Sequence, residues 1–288
     1  MNLLIKYGIM GRKIVAKSLS YYGTATALST GKASLSATSV GDYALFGGGY
    51  DTTYSDSVDA YNTSLTRNTP TALSVARNGM AATYNSNYAL FGGGFTGSTS
   101  SVVDAYNASL TRSTPTALSV ARYGLGAASL TNYALFCGGY GGDTFQTTVD
   151  AYNTSLTRST PTALSVGLRY TSATSNVDYI LVGGGSTGGT TYSDVVNAYN
   201  SSLTRSIPTP LSAIRHYASA TNIGMYALFG GGTTATTSSV VDAYDSSLVR
   251  TVPTALSVAR ANVGATALGD YALFGGGSYS AVVDVYQI

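Results

Sequence analysis

The chain repeats itself about every 45 residues, and this repetition constrains its fold more than any local pattern does. The clearest landmark is an aromatic-aliphatic segment that ends in glycines, such as DYALFGGG (42–49) and NYALFGGG (87–94). From the residue numbers, its six copies follow one another at intervals of 45, 45, 46, 47 and 45. The tyrosines that mark them are Tyr43, Tyr88, Tyr133, Tyr179, Tyr226 and Tyr271. The spacing predicts six equivalent structural units.

Every segment of one unit is typical of a β-strand. YALF alternates in bulk between turn residues, VDAY (58–61) alternates between apolar and polar, and SLTR (64–67) is short and β-branched. A small-residue strand and a polar turn follow, as in NGMAATYNSN (78–87), and we find no segment with sustained helical periodicity. Four short strands in each of six units predict an all-β, six-bladed β-propeller with four antiparallel strands per blade.

The two ends of the repeat complement each other. The last unit stops at VDVYQI (283–288), whereas residues 17–29 (KSLSYYGTATALS) resemble the segment that would follow it, as TSLTRNTPTALS (63–74) follows the first VDAY. We therefore expect the N-terminal strand to complete the sixth blade and to close the ring. The competing fold, an open solenoid, would need polar capping units at both ends.

The sequence resembles the kelch family in three marks that recur together. These are the glycines after the second strand, the VDAY third strand and an arginine at the start of the next unit, such as Arg77. The resemblance covers about residues 16–288 and implies a propeller but no single activity. It departs from kelch repeats in lacking tryptophan; the corresponding position holds Leu65, Leu110, Leu156, Leu203 and Leu248.

Composition limits the classes of function. Charged residues make up 10% of the chain, every acid is Asp, and the net charge of +2 is too small to predict nucleic-acid binding. The chain has one cysteine, Cys137, and one histidine, His216, so it cannot build a two-histidine copper site like that of galactose-oxidase-like kelch enzymes. We expect no enzyme activity, no metal, no cofactor, no disulfide and a buried, inert thiol.

Residues 1–15 lie outside the repeat and form an N-terminal arm before the propeller domain, 16–288. Lys6, Gly8 and Arg12 interrupt the apolar stretch, so it predicts neither membrane insertion nor a cleavable leader. Two interpretations remain open. The arm packs on the ring, or it docks the propeller to a partner in a larger assembly.

The charged residues form two regular sets. If residues 62–64 are a hairpin turn, Asp59 faces Arg67 while Tyr61 faces Leu65, and the other units repeat this cross-strand pair. A second basic register comprises Lys32, Arg77, Arg122, Arg215 and Arg260; the fourth copy has Leu168 there, followed by Arg169. We keep two interpretations of this register: bonding to neighbouring blades, or a positive ring that faces a ligand at the channel mouth.

The loops between the glycines and VDAY differ in length and sequence, whereas the strands are nearly identical. Five of the six loops carry aromatic residues among Ser, Thr, Asp and Gly, which suits a sugar face or a protein surface. Packing of these rings on their own blades is the alternative. With the basic register, the predicted ligand-binding residues are Tyr50, Tyr54, Phe95, Arg122, Tyr140, Phe145, Arg169, Tyr170, Tyr192, Arg215 and Tyr279.

These patterns predict a recognition module that binds a glycan or protein ligand through the variable loops, with blades 3 and 4 favoured. The low-charge, Glu-free composition resembles that of kelch-containing bacteriophage tail and bacterial surface proteins, which implies a receptor-binding component on a virion or extracellular surface. The alternative is a structural scaffold that docks through the N-terminal arm.

Overall fold

The structure is a computed structural model that describes residues 24–130 and 132–288. In that part of the chain it contains strands, turns and loops, and the main strands form six sheets around a central channel. The expected all-β, six-bladed propeller is therefore confirmed. The described residues include no helix long and apolar enough to cross a membrane.

Five blades have four antiparallel strands, which run outward from the channel in chain order. In blades 1 to 3 the strands are Ser36–Val40, Tyr43–Gly47, Val58–Tyr61 and Arg67–Asn68; Ala81–Tyr84, Tyr88–Gly92, Val103–Asn107 and Arg112–Ser113; and Gly126–Leu130, Tyr133–Cys137, Val149–Tyr152 and Arg158–Ser159. In blades 4 and 5 they are Ser172–Ser175, Tyr179–Gly183, Val196–Asn200 and Arg205–Ser206; and Ser219–Ile223, Tyr226–Gly230, Val241–Tyr244 and Arg250–Thr251.

Blade 6 has three strands among the described residues: Gly264–Leu268, Tyr271–Gly275 and Val283–Gln287. The strand predicted to complete it was placed in residues 17–29. Residues 17–23 lie outside the described residues, as does the predicted arm, and residues 24–29 contain no strand. Ring closure by that strand therefore stays a prediction.

Neighbouring blades pack through a repeated glycine-phenylalanine contact. Gly47 and Gly92 have no room for a side chain, because an added Cβ would lie 2.9 Å from the ring of Phe91 and 2.7 Å from that of Phe136, respectively. These rings are completely buried. At the boundary between blades 3 and 4 both positions change, to Cys137 and Val182, and the two residues belong to one buried cluster.

The boundary between blades 6 and 1 differs from the other five. A Cβ on Gly275 would meet only Val283 of its own blade, and Phe46, the ring expected to pack there, is only partly buried. Leu268 at the end of the innermost strand is 61% exposed, although its equivalents Val40 and Ile223 are buried. Among the described residues, this boundary thus leaves apolar side chains uncovered.

The outer hairpin turns are longer than the sequence predicted. Tyr61 lies opposite Arg67, not Leu65, and the turn runs from Asn62 to Thr66. The Asn62 side chain accepts hydrogen bonds from the backbone of Ser64 and Thr66, which bends the chain and gives Leu65 a left-handed φ of 58°. The leucine positions compared with kelch tryptophans therefore belong to turns and not to the fourth strand.

The predicted cross-strand ion pairs nevertheless form, because the arginine reaches diagonally. Arg112 lies 3.5 Å from Asp104, Arg158 lies 3.1 Å from Asp150, and Arg250 lies 3.1 Å from Asp242. The three aspartates are completely buried. A buried carboxylate needs more than one partially exposed partner, and the second basic register supplies it.

Candidate binding face

The variable loops and the start of each following unit lie on the same face of the ring. Antiparallel bridges join Asn78 to Phe95, Tyr123 to Tyr140, and His216 to Thr233 across this face. In blades 1, 3 and 4 the loops project as small hairpins, for example Tyr140–Gly141 paired with Thr144–Phe145. This arrangement places the aromatic loop residues beside residues that follow the basic register.

Ten rings on this face form a continuous chain of contacts, which we call the aromatic arc. Neighbouring ring centroids in the arc lie 4.2 to 6.5 Å apart, and most of these distances are in the usual range for aromatic pairs. The arc extends from the loop of blade 1 to the start of blade 5. Its members are Tyr50, Tyr54, Phe95, Tyr123, Tyr140, Phe145, Tyr170, Tyr192, His216 and Tyr217.

Arg169 lies against the centre of the arc. Its guanidinium carbon is 4.5 Å from the ring centroid of Tyr170, 5.2 Å from that of Tyr140, 5.5 Å from that of Phe145 and 5.8 Å from that of Tyr123. All four are within cation–π distance. Its Nη1 also donates a hydrogen bond of 3.0 Å to the Tyr123 hydroxyl. No described carboxylate forms an ion pair with Arg169.

The other arginines of the basic register lie inside the blades. Arg122 and Arg215 were predicted as ligand-binding residues under one of the two interpretations of this register. They are 0% and 1% exposed and pair with Asp150 at 2.8 Å and Asp242 at 2.5 Å. Arg122 also donates to the carbonyl groups of Val120 and Phe136. In these positions the two arginines bond their own blades, so we leave them out of the candidate surface.

Blade 4 lacks this buried ion pair and replaces both of its members. Leu168 occupies the arginine position and is fully buried, and Asn197 occupies the aspartate position. The Asn197 side chain still accepts hydrogen bonds from Ser165 and Arg205. Blade 4 therefore keeps these two hydrogen bonds although both charges of the buried ion pair are absent. The cation of this unit is Arg169, one residue later, which lies on the binding face and not in the blade.

Two tyrosines of the arc hold a backbone conformation that favours glycine. Tyr170 and Tyr217 have φ values of 54° and 51°, and the equivalent residues in blades 2 and 3 are Gly79 and Gly124. Bulky residues adopt positive φ rarely and at an energetic cost, and such residues cluster at functional sites. All six units have a positive φ at this position, including Ser34 and Asn262 at 53°. The conformation therefore belongs to the repeat, and blades 4 and 5 differ in holding a bulky ring there.

His216 is fixed between two rings of the arc. It stacks on Tyr192 with ring centroids 4.2 Å apart, and its Nδ1 lies 2.9 Å from the carbonyl oxygen of Thr233. Burial lowers the pKa of this histidine, and the positive charge of Arg169 lowers it further. The neutral ring therefore serves as an aromatic surface beside Tyr192.

The structure brings most of the predicted ligand-binding residues together. Seven of them belong to the aromatic arc, Arg169 packs against it, and Tyr279 on blade 6 is fully exposed with no ring contact among the described residues. The prediction did not include Tyr123, which contacts three rings of the arc and Arg169. Its position directly after Arg122 in the repeat was the available signal.

Comparison with known proteins adds no family to this description. No protein-family model matches the chain, and a search of the curated proteins found no significant match. The structure defines the class as a six-bladed β-propeller, and the resemblance to kelch repeats stays a prediction based on the sequence marks.

Proposed function

We propose that this protein is a non-enzymatic recognition module that binds a glycan or a protein surface through the face that carries the aromatic arc. The observation that supports this most directly is Arg169, a cation without a described acidic partner, packed among four aromatic rings. Rings that already contact one another lose little freedom when a ligand binds, so their surface contributes to affinity at small entropic cost. The composition supports a setting on a virion or an extracellular surface.

Binding of the full chain to bacterial cells and to a glycan panel tests this proposal. Replacing Tyr140 and Tyr192 with Ala should weaken binding by about 1 kcal/mol or more each, because a few rigid aromatic residues dominate such interfaces. Tyr170→Gly is a sharper variant: it removes a ring, and glycine suits the backbone conformation, as Gly79 and Gly124 do in blades 2 and 3. It should reduce binding without lowering the melting temperature.

Tyr279 was predicted to bind ligand, but it has no ring contact with the arc among the described residues, so we leave it out of the candidate surface. Tyr279→Ala is therefore the matched control, since it removes an equally large exposed ring. It should bind as the unchanged protein does. Binding that survives the double replacement of Tyr140 and Tyr192, but disappears when residues 1–14 are deleted, would contradict the proposal. That result would favour the alternative, a structural component that docks through its N-terminal arm.

A further inference from the structure

We infer that the ligand of the aromatic arc is a sugar that carries a carboxylate, and that Arg169 binds this carboxylate. The inference rests on the proposed function, because it assigns a ligand class to the same face. Three features of the described residues support it: the unpaired charge of Arg169, the free donors around it and the scarcity of other cations on this face.

Arg169 forms no ion pair with a described acid, unlike the arginines of the basic register. Arg77 shows the usual arrangement: it bonds three carbonyl groups and Asp104, so all of its charge is used inside blade 2. In blade 4 the carboxylate is replaced by Asn197, and Leu168 fills the buried position. Arg169 is thus held at the surface with its charge uncompensated by any described acid.

Hydrogen-bond donors remain available beside this charge. Among the described residues, Arg169 makes one hydrogen bond, from Nη1 to Tyr123, and Nη2 makes none. The Tyr123 oxygen accepts that bond, so the hydroxyl keeps its own hydrogen to donate. Arg169 Nη2 and the Tyr123 hydroxyl together offer two neighbouring donors, a pair that suits the two oxygens of one carboxylate.

The surroundings favour a sugar over an acidic peptide. A peptide with several acidic side chains would need several cations, but Arg77, Arg122, Arg215 and Arg260 are buried in ion pairs. Lys32 is bonded to Ser57 beside blade 1. One cation among aromatic rings matches a sugar with a single carboxylate, whose C–H faces pack on the rings while its carboxylate binds the guanidinium.

Calorimetric titration of the full chain with acidic and neutral sugars tests this inference. The acidic probes are 3′-sialyllactose and the methyl glycoside of galacturonic acid, each of which carries one carboxylate, and the neutral counterparts are their methyl esters. We expect at least one acidic probe to bind about tenfold or more tightly than its neutral counterpart, the effect of one hydrogen-bonded charge.

Variants show which side chain produces the preference for the acidic sugar. Arg169→Asn, which places the residue of blade 2 (Asn78) in blade 4, should abolish the preference for the acid, and Tyr123→Phe should reduce it several-fold. Arg158→Ala is the control, because it removes one positive charge from the outer strand of blade 3 and should leave the preference unchanged.

The possible results separate this inference from the proposed function. If cells or neutral sugars bind through the arc but the carboxylate and Arg169 are dispensable, the inference is overturned and the proposed function stands. If acidic peptides bind more tightly than every acidic sugar, or no acidic sugar binds at all, the inference is also overturned. If, in addition, Tyr170→Gly leaves cell binding unchanged, the proposed function fails as well.

Discussion

At the scale of the residue, one buried aspartate organises each regular blade. Asp104 accepts hydrogen bonds from the backbone of Ser74, from Arg77 at 2.8 Å and from Arg112 at 3.5 Å. Ser74 lies in the segment before blade 2, Arg77 at the start of the blade and Arg112 on its outer strand. One carboxylate therefore joins three parts of the unit. The two arginines differ in burial, since Arg77 is inaccessible and Arg112 is 26% exposed.

This difference predicts unequal effects of two similar replacements. Arg77→Ala leaves a buried carboxylate with little compensation and should lower the free energy of unfolding by about 3–5 kcal/mol. Arg112→Ala removes a partly solvated partner and should cost no more than about 1 kcal/mol. Urea denaturation of both variants measures the two effects. Equal losses would contradict the assignment, and loss of ligand binding by Arg112→Ala with unchanged stability would place that arginine in the binding site.

The single cysteine is a structural residue at the same scale. Burial raises the pKa of the Cys137 thiol to about 12, so the thiol stays protonated at neutral pH. Because the thiolate is the reactive form, the position suits a buried packing role, as the sequence predicted.

At the scale of the element, neighbouring blades depend on matched side-chain sizes. The usual contact places a large ring against a glycine, as for Gly92 and Phe136. Between blades 3 and 4, Cys137 stands at the glycine position and is larger than glycine, whereas Val182 stands at the phenylalanine position and is smaller than phenylalanine. The pair conserves volume at the interface, which cores tolerate better than a change on one side alone.

This compensation can be measured with a double-mutant cycle. Cys137→Gly alone should leave a cavity, and Val182→Phe alone should overpack the interface, each costing about 1–3 kcal/mol. The double variant recreates the arrangement of the other boundaries and should recover much of that loss. Thermal unfolding of the four proteins gives the coupling energy. Additive losses would show that the two side chains do not share one packing site.

At the scale of the whole molecule, the segment before blade 1 repeats the contacts of later units. The Tyr61 hydroxyl donates to the carbonyl oxygen of Thr26 and Ser29 bonds Asp59, just as Tyr106 donates to Thr71 and Ser74 bonds Asp104. In the later units this segment directly follows the outer strand of the preceding blade. Closure by the N-terminal segment, predicted for residues 17–29, requires this register and stays a prediction.

Truncation tests this closure. Removing residues 1–30 deletes the bonds to Asp59 and Tyr61 and, on our expectation, the closing strand, so the chain should lose cooperative folding. Removing only residues 1–14 should leave a monomeric ring with nearly unchanged melting. Circular dichroism melting and size-exclusion chromatography distinguish the two fragments. A 31–288 fragment that unfolds like the full chain would refute closure by the N-terminal strand.

Local spacing was enough to predict the blades. A repeat near 45 residues, alternating strands and glycines at the ends of the second strands determine six antiparallel sheets, because hydrogen bonding and side-chain alternation act over a few residues. The same information predicted the Asp–Arg pair of each outer hairpin. It misplaced the leucines, because the side chain of Asn62 lengthens the turn and local pattern does not reveal that bond.

Only the tertiary structure decided which charges are free. Arg122 and Arg169 are similar residues in neighbouring units, yet one is buried against Asp150 and the other lies among four rings. The sequence showed Leu168 at the arginine position and Asn197 at the aspartate position. It did not show that these two positions form a buried ion pair in blades 2, 3 and 5, because the paired residues are almost thirty positions apart. Burial and long-range pairing are properties of the folded chain, and they separate the structural arginines from the one that we assign to a ligand.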